Sequence, residues 1–218
     1  MVSCMDLMRP ETYEGLPYRI YIPENYGAAQ RYPLVLYLHG MGERGDDNRL
    51  HISKNSVMET LLEPEARAAY PCIVLAPQCP ESDFWPGLAP ALMGLLEHTK
   101  AAYAIDPARI YVTGLSMGGF GTWAMLTDYP DYFAAAVPIC GGDPEAAPLF
   151  RHVPLWAFHG AKDTTVYPDA TRGMVAALAL AGARDLHYTE YPEAAHNSWD
   201  RAYREPGLFP WLFAQAKV

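Results

Sequence analysis

The chain has 218 residues, with 16 basic and 25 acidic side chains for a net charge of −9, and a mean hydropathy of −0.09. Half of it is hydrophobic and 19% is charged, which excludes a disordered chain and supplies one full-sized core, so a single domain over 1–218 is expected. The acidic balance and scattered Lys and Arg exclude a nucleic-acid partner, and Pro, Gly, Asp or Arg interrupts each apolar run short of the roughly 18–20 residues a membrane helix needs.

At the start, Met1-Val-Ser-Cys-Met-Asp-Leu-Met-Arg-Pro10 has no basic region leading into an apolar one. A cytoplasmic location is therefore expected, or a secreted one if a signal has been removed. Cys4, Cys72, Cys79 and Cys140 form no CxxC pair and are expected to be buried thiols, with a Cys72–Cys79 bridge as the alternative.

Tyr18-Arg-Ile-Tyr-Ile22 alternates as a half-exposed strand does, whereas Leu34-Val-Leu-Tyr-Leu38 and Ile73-Val-Leu-Ala76 are continuous apolar runs, the pattern of strands covered on both faces. A helix is predicted over 88–103, then a strand at Arg109-Ile-Tyr-Val-Thr113, a helix starting at Met117 and a strand at Ala134-Ala-Ala-Val-Pro-Ile139. Pro138 must lie near that strand's end, because a central position forfeits a ladder hydrogen bond. Further strands are predicted at Pro154-Leu-Trp-Ala-Phe158 and Leu186-His-Tyr-Thr-Glu190, with a helix over 169–180 capped by Gly182 between them, and a last apolar stretch over 208–216 is expected to dock on the sheet. Seven strands alternating with helices predict an α/β fold with a mostly parallel twisted sheet and helices on both faces. Only a short Gly-Gly-Asp-Pro stretch separates the strand ending at Ile139 from the next, so no substantial lid domain and an open site are expected.

Gly114-Leu-Ser116-Met-Gly118 stands between a predicted strand and helix. With 17 glycines and six serines in the chain, chance placement yields about 0.04 such motifs. A serine on so sharp a turn is strained, and glycines two residues to either side are required because a β-carbon there strikes the neighbouring backbone. Ser116 is thus the candidate nucleophile. A serine hydroxyl needs a base, and of the histidines that follow it, His152, His159 and His187 lie in or flank strands while His196 occupies a loop past the last strand. The candidate acid is Asp163, in the turn after Phe158-His-Gly160; Asp143 is its rival, and Lys162 and His159 are read as shaping the loop. The backbone N–H groups of Met41, in His39-Gly-Met41-Gly42, and of Met117 are the candidate oxyanion hole. Trp85 and Trp199 are candidate pocket walls, with core positions the alternative. No metal or other cofactor is expected, and Asp46-Asp47-Asn48 is read as a solvated loop and helix cap.

These blocks, with Asp106 to Trp123 around the serine, resemble the α/β-hydrolase fold and, more narrowly, dienelactone hydrolase and polyhydroxybutyrate depolymerase-like esterases, which include feruloyl and acetylxylan esterases. The resemblance implies a carboxylesterase acting on a small-molecule or carbohydrate-linked ester with short acyl or aryl groups. A peptidase or amidase of the same fold, and a non-catalytic binding protein, are the alternatives; the sequence leaves the oligomeric state open.

Overall fold

The structure, a computed structural model, describes residues 3–53, 56–142, 147 and 149–217. One sheet contains eight strands: β1 (Arg9–Tyr13), β2 (Leu16–Tyr21), β3 (Tyr32–Leu38), β4 (Ile73–Pro77), β5 (Ile105–Leu115), β6 (Ala135–Ile139), β7 (Leu155–Gly160) and β8 (Leu186–Tyr191). Their order is β1-β2-β4-β3-β5-β6-β7-β8. β2 runs antiparallel to β1 and β4, and the six strands from β3 to β8 are parallel. The helices among the described residues are α1 (Cys4–Leu7), α2 (Leu50–Ser53), α3 (Ser56–Leu61), α4 (Pro64–Ala69), α5 (Ala89–Ala102), α6 (Met117–Asp128), α7 (Asp169–Leu180), α8 (Trp199–Ala202) and α9 (Leu208–Ala214). None of them is long and apolar enough to cross a membrane.

The continuous apolar runs are buried on both faces of the sheet. Leu34, Leu36 and Leu38 of β3 and Leu75 of β4 pack into one core with Leu92 and Leu96 of α5 and Trp123 and Leu126 of α6. Val35, Tyr37 and Val74, one residue out of phase, pack into a second core with Leu208 and Leu212 of α9. The period of two along each strand therefore feeds two separate cores. Cys72 joins the second core and Cys79 the first; all four cysteines are free thiols.

Sequence pattern missed β1. Arg9-Pro10-Glu11 is polar and contains a proline, and such a segment is tolerated at a sheet edge, where one row of backbone groups needs no partner. The hairpin to β2 has two loop residues, Glu14 and Gly15, with φ of 48° and 86°, between the paired Tyr13 and Leu16; positive φ at both central positions matches the twist of the flanking strands. β5 also starts four residues earlier than predicted. A register shift on β3 between Tyr32 and Leu34 absorbs the turn at Asp106, whose carboxylate accepts from the Ala108 amide and from Arg109 Nε.

The remaining boundaries agree within a residue or two, but β2 is not half-exposed as its alternation suggested: it lies inside the sheet between β1 and β4, and even Arg19 is buried, its guanidinium donating to the Met5, Met8 and Asn48 carbonyls. Pro138 is the penultimate residue of β6. α7 ends as anticipated: Gly182 has φ of 85°, its N–H donates to Ala179 O, and the Ala183 N–H donates to Leu178 O, the pair of bonds that closes a helix through a left-handed glycine. Asp47 Oδ1 accepts from the Arg49 and Leu50 amides at the start of α2, as a cap does.

Register sets the location of the chemistry. Leu38 pairs with Gly114, Leu115 with Ile139, Ile139 with Phe158 and Gly160 with Tyr191. The carboxyl ends of β3, β5, β6, β7 and β8 consequently share one edge, and the loops leaving them carry Met41, Ser116, Cys140, Asp163 and His196.

Candidate active site

Ser116 is the single residue between β5 and α6, and its backbone is strained, with φ 52° and ψ −118°. Two hydrogen bonds hold it there: its N–H donates to Ile139 O at 2.9 Å, and its carbonyl accepts from the Phe120 N–H at 3.1 Å. The flanking glycines have the steric cause read from the motif. A β-carbon on Gly114 would sit 2.3 Å from Gly118 O, and one on Gly118 would sit 1.9 Å from Leu38 O. No side chain fits at those separations.

His196 lies in the loop between β8 and α8. Its Nε2 is 2.9 Å from Ser116 Oγ and its Nδ1 is 2.7 Å from Asp163 Oδ2. A carboxylate at Nδ1 fixes the hydrogen on that nitrogen, which leaves the Nε2 lone pair facing the hydroxyl. The loop is anchored from below: the Lys162 N–H donates to Ala194 O, and Gly160 passes so close that a β-carbon would lie 2.2 Å from Ala195 O. The Trp199 ring meets the imidazole edge-on at 5.2 Å.

Asp163 follows β7 and is 2% exposed. Its Oδ1 accepts from the Thr165 and Val166 amides at 2.8 and 3.0 Å, while Oδ2 serves His196. Burial pushes this carboxyl up, but the hydrogen bonds from His196 and the two amides outweigh it and hold the group below the usual carboxylate range. Lys162 pairs instead with Glu193. Asp143, the rival acid, lies outside the described residues, as do Pro144 and part of the stretch up to β7 in which a lid would be inserted.

Met117 is the first residue of α6, so its N–H has no acceptor within the helix. Met41 opens a 3₁₀ turn (Met41–Glu43) after Gly40. Both line a cavity of about 580 Å³ together with Ser116, His196, Phe84 and Trp199. Trp199 is thus on the cavity wall. Trp85 is not. It is fully buried, its Nε1–H donates to His39 O at 2.8 Å, and a β-carbon on Gly121 would lie 2.5 Å from Trp85 Cβ. It supports the Met41 loop from inside, and its half-exposed neighbour Phe84 takes the wall position.

Two residues that the motif reading left without a role hold the site from behind. His39 accepts the Cys79 N–H at Nε2 (2.9 Å) and therefore donates from Nδ1 to Gly40 O (2.6 Å), which braces the peptide that carries the Met41 N–H; burial drives its pKa down to about 3. Cys140, with φ 55°, contacts Ser198 Oγ at 2.9 Å and donates from Sγ to His196 O at 3.4 Å. Burial pushes its thiol up to about 12, so it acts as a neutral packing group. Cys140, His159 and Asp163 also bring potential ligand atoms within 4.8 Å of one another, but these are already hydrogen-bonded to each other and to neighbouring groups. A left-handed cysteine leaves no signature in a sequence.

A profile of the prolyl oligopeptidase family matches residues 90–142, from α5 through the Ser116 turn. The crystal structure of a thermostable esterase superposes on 98% of this chain with a TM-score of 0.93 and 35% identity, over 64% of its own length. A bifunctional acetylxylan esterase/xylanase of Neocallimastix patriciarum is 27% identical over 90% of this chain and 28% of that protein. Poly(3-hydroxyalkanoate) depolymerase C of Paucimonas lemoignei is 50% identical over 56 residues, 26% of this chain and 14% of that protein. The chain spans less than a third of either curated relative. The peptidase profile covers only the serine turn and its flanks, whereas the likeness to the esterase extends over nearly every strand and helix. On that breadth, the chain has the α/β-hydrolase fold and is similar to esterases over nearly its whole length.

Proposed function

We propose that the protein is a serine carboxylesterase that cleaves esters with short acyl or aryl groups through an acyl-enzyme. The observation that carries this reading is the unbroken chain from Ser116 Oγ through His196 to Asp163, at 2.9 and 2.7 Å, opening into the cavity. Ser116 Oγ attacks the ester carbonyl while His196 Nε2 takes its proton; Asp163 keeps the imidazole in the required tautomer and stabilises it once charged. The carbonyl oxygen, now negative, is received by the Met41 and Met117 amides. His196 returns the proton to the departing alcohol, and water then releases the acid by the same steps in reverse order.

A cavity of about 580 Å³ suits a compact acyl or aryl group, and the apolar Phe84, Phe120 and Trp199 on its walls favour such a group over a charged one. Acetylxylan and hydroxyalkanoate esters, after which the two curated relatives are named, belong in the substrate set beside p-nitrophenyl esters of rising length and methyl ferulate. In that panel Ser116→Ala is expected to lose kcat by roughly four orders of magnitude or more. Unchanged turnover in this variant would refute the nucleophile. Matched amides separate the peptidase reading: an amide cleaved faster than its ester would favour it.

A further inference from the structure

His159 is fully buried, lies outside the wall of the cavity, and takes no proton in the mechanism above. Yet its Nε2 is 3.2 Å from Asp163 Oδ2 and 2.9 Å from Val166 O. A carboxylate and a carbonyl can only accept, so Nε2 carries a hydrogen shared between them. On the other side of the ring, the Thr171 hydroxyl in α7 lies 2.7 Å from both Nδ1 and Gly141 O, and its one hydrogen serves either of them.

We propose that His159 is a positioning residue for the triad acid: it holds Asp163 so that Oδ2 stays aimed at His196. The inference rests on the esterase reading above. With His159, the carboxylate receives four hydrogens, two at Oδ1 from the Thr165 and Val166 amides and two at Oδ2 from the histidines. It therefore cannot rotate without losing bonds. Val166 closes the loop, because its N–H holds Oδ1 while its carbonyl receives His159.

The line through Thr171 adds a second constraint. It ends on Gly141, two residues past Ile139, whose carbonyl holds the Ser116 N–H. One end of β6 thus serves as the anchor for both the nucleophile's backbone and the acid's side chain, which keeps the two in register across three strands. Displacement by about 1 Å of a group in such a chain can cost on the order of a hundredfold in rate.

The test compares His159→Phe, which keeps a ring and loses the donor, with His159→Gln, whose amide can donate near the Nε2 position. Steady-state kinetics on a p-nitrophenyl ester and thermal midpoints are read for each, alone and combined with Asp163→Asn. The expected result is a kcat for His159→Phe lowered about ten- to a hundredfold with KM within about twofold, substantial recovery in His159→Gln, and no further loss when Phe is added to Asp163→Asn. Wild-type kcat in His159→Phe, equal losses in Phe and Gln that follow the thermal midpoint, or a full additional loss in the Asp163→Asn background would overturn the proposal. If His159→Phe does not fold, Thr171→Val carries the same cycle, since it removes the Nδ1 partner, and the contact with Gly141 O, while leaving the ring in place. His196→Ala is run alongside: if it keeps wild-type turnover the esterase mechanism fails, whereas an inactive His196→Ala beside a fully active His159→Phe removes only the role of His159.

Discussion

Ser116 holds a conformation that disfavours a side chain, and the backbone around it closes to distances that only glycine permits. This is why the motif was readable: a steric requirement at Gly114 and Gly118 is written in residue type. Gly160 obeys the same logic at a place the sequence does not mark. Gly160→Ala would put a β-carbon 2.2 Å from Ala195 O, so the loop must lift and carry His196 away from Ser116. We expect kcat to fall at least about tenfold with a smaller change in KM; wild-type kinetics would show that the loop yields elsewhere. Trp85 and Phe84 show where residue type stops informing: adjacent aromatics, one buried under the oxyanion loop and one on the wall, are told apart only by the turn between them.

Helices and strands with a strong period were legible because their pattern reports two-sided burial. α6 and α7 begin at the predicted residues, and β3 and β4 bury every residue. The β1–β2 hairpin was not legible, since its first strand is an exposed edge and its turn uses Glu14 where Asn or Asp is the usual signal. Glu14 at φ 48° carries a backbone penalty that Asn tolerates better. Glu14→Asn is therefore expected to stabilise by about 0.5–1 kcal/mol, a rise of about 1–4 °C in thermal midpoint for a chain of this size. A lower midpoint would mean that the glutamate side chain has a stabilising role of its own.

Across the fold, two buried histidines tie stability to pH. Burial lowers His39 to about 3 and His51 to about 4. In the unfolded chain both take a proton near the ordinary histidine value of about 6.5. Between that pH and their folded values the unfolded state binds more protons, so stability is fully present above about 6.5 and is lost as pH falls, at roughly 1.4 kcal/mol per pH unit for each histidine. His51 donates from Nε2 to Ala76 O at 2.9 Å, and its Nδ1 has no partner among the described residues, so a second proton there would find no acceptor. His51→Gln, whose amide can still donate to Ala76 O but does not titrate, should flatten the fall in denaturation midpoint from pH 7 to 4.5. A fall as steep as in the wild type would remove His51 as a cause.

The amino-acid order alone determined the alternation of strand and helix, the serine turn, and the order of the candidate nucleophile, acid and base, because each depends on local periodicity or on the volume of a single residue. It could not decide which buried groups stand behind them. His39, Cys140 and His159 are brought to the acid, the base and the oxyanion loop by the register of parallel strands far apart in the chain. Contacts of that kind arise from how strands stack and where their ends align, and no run of neighbouring residues encodes them.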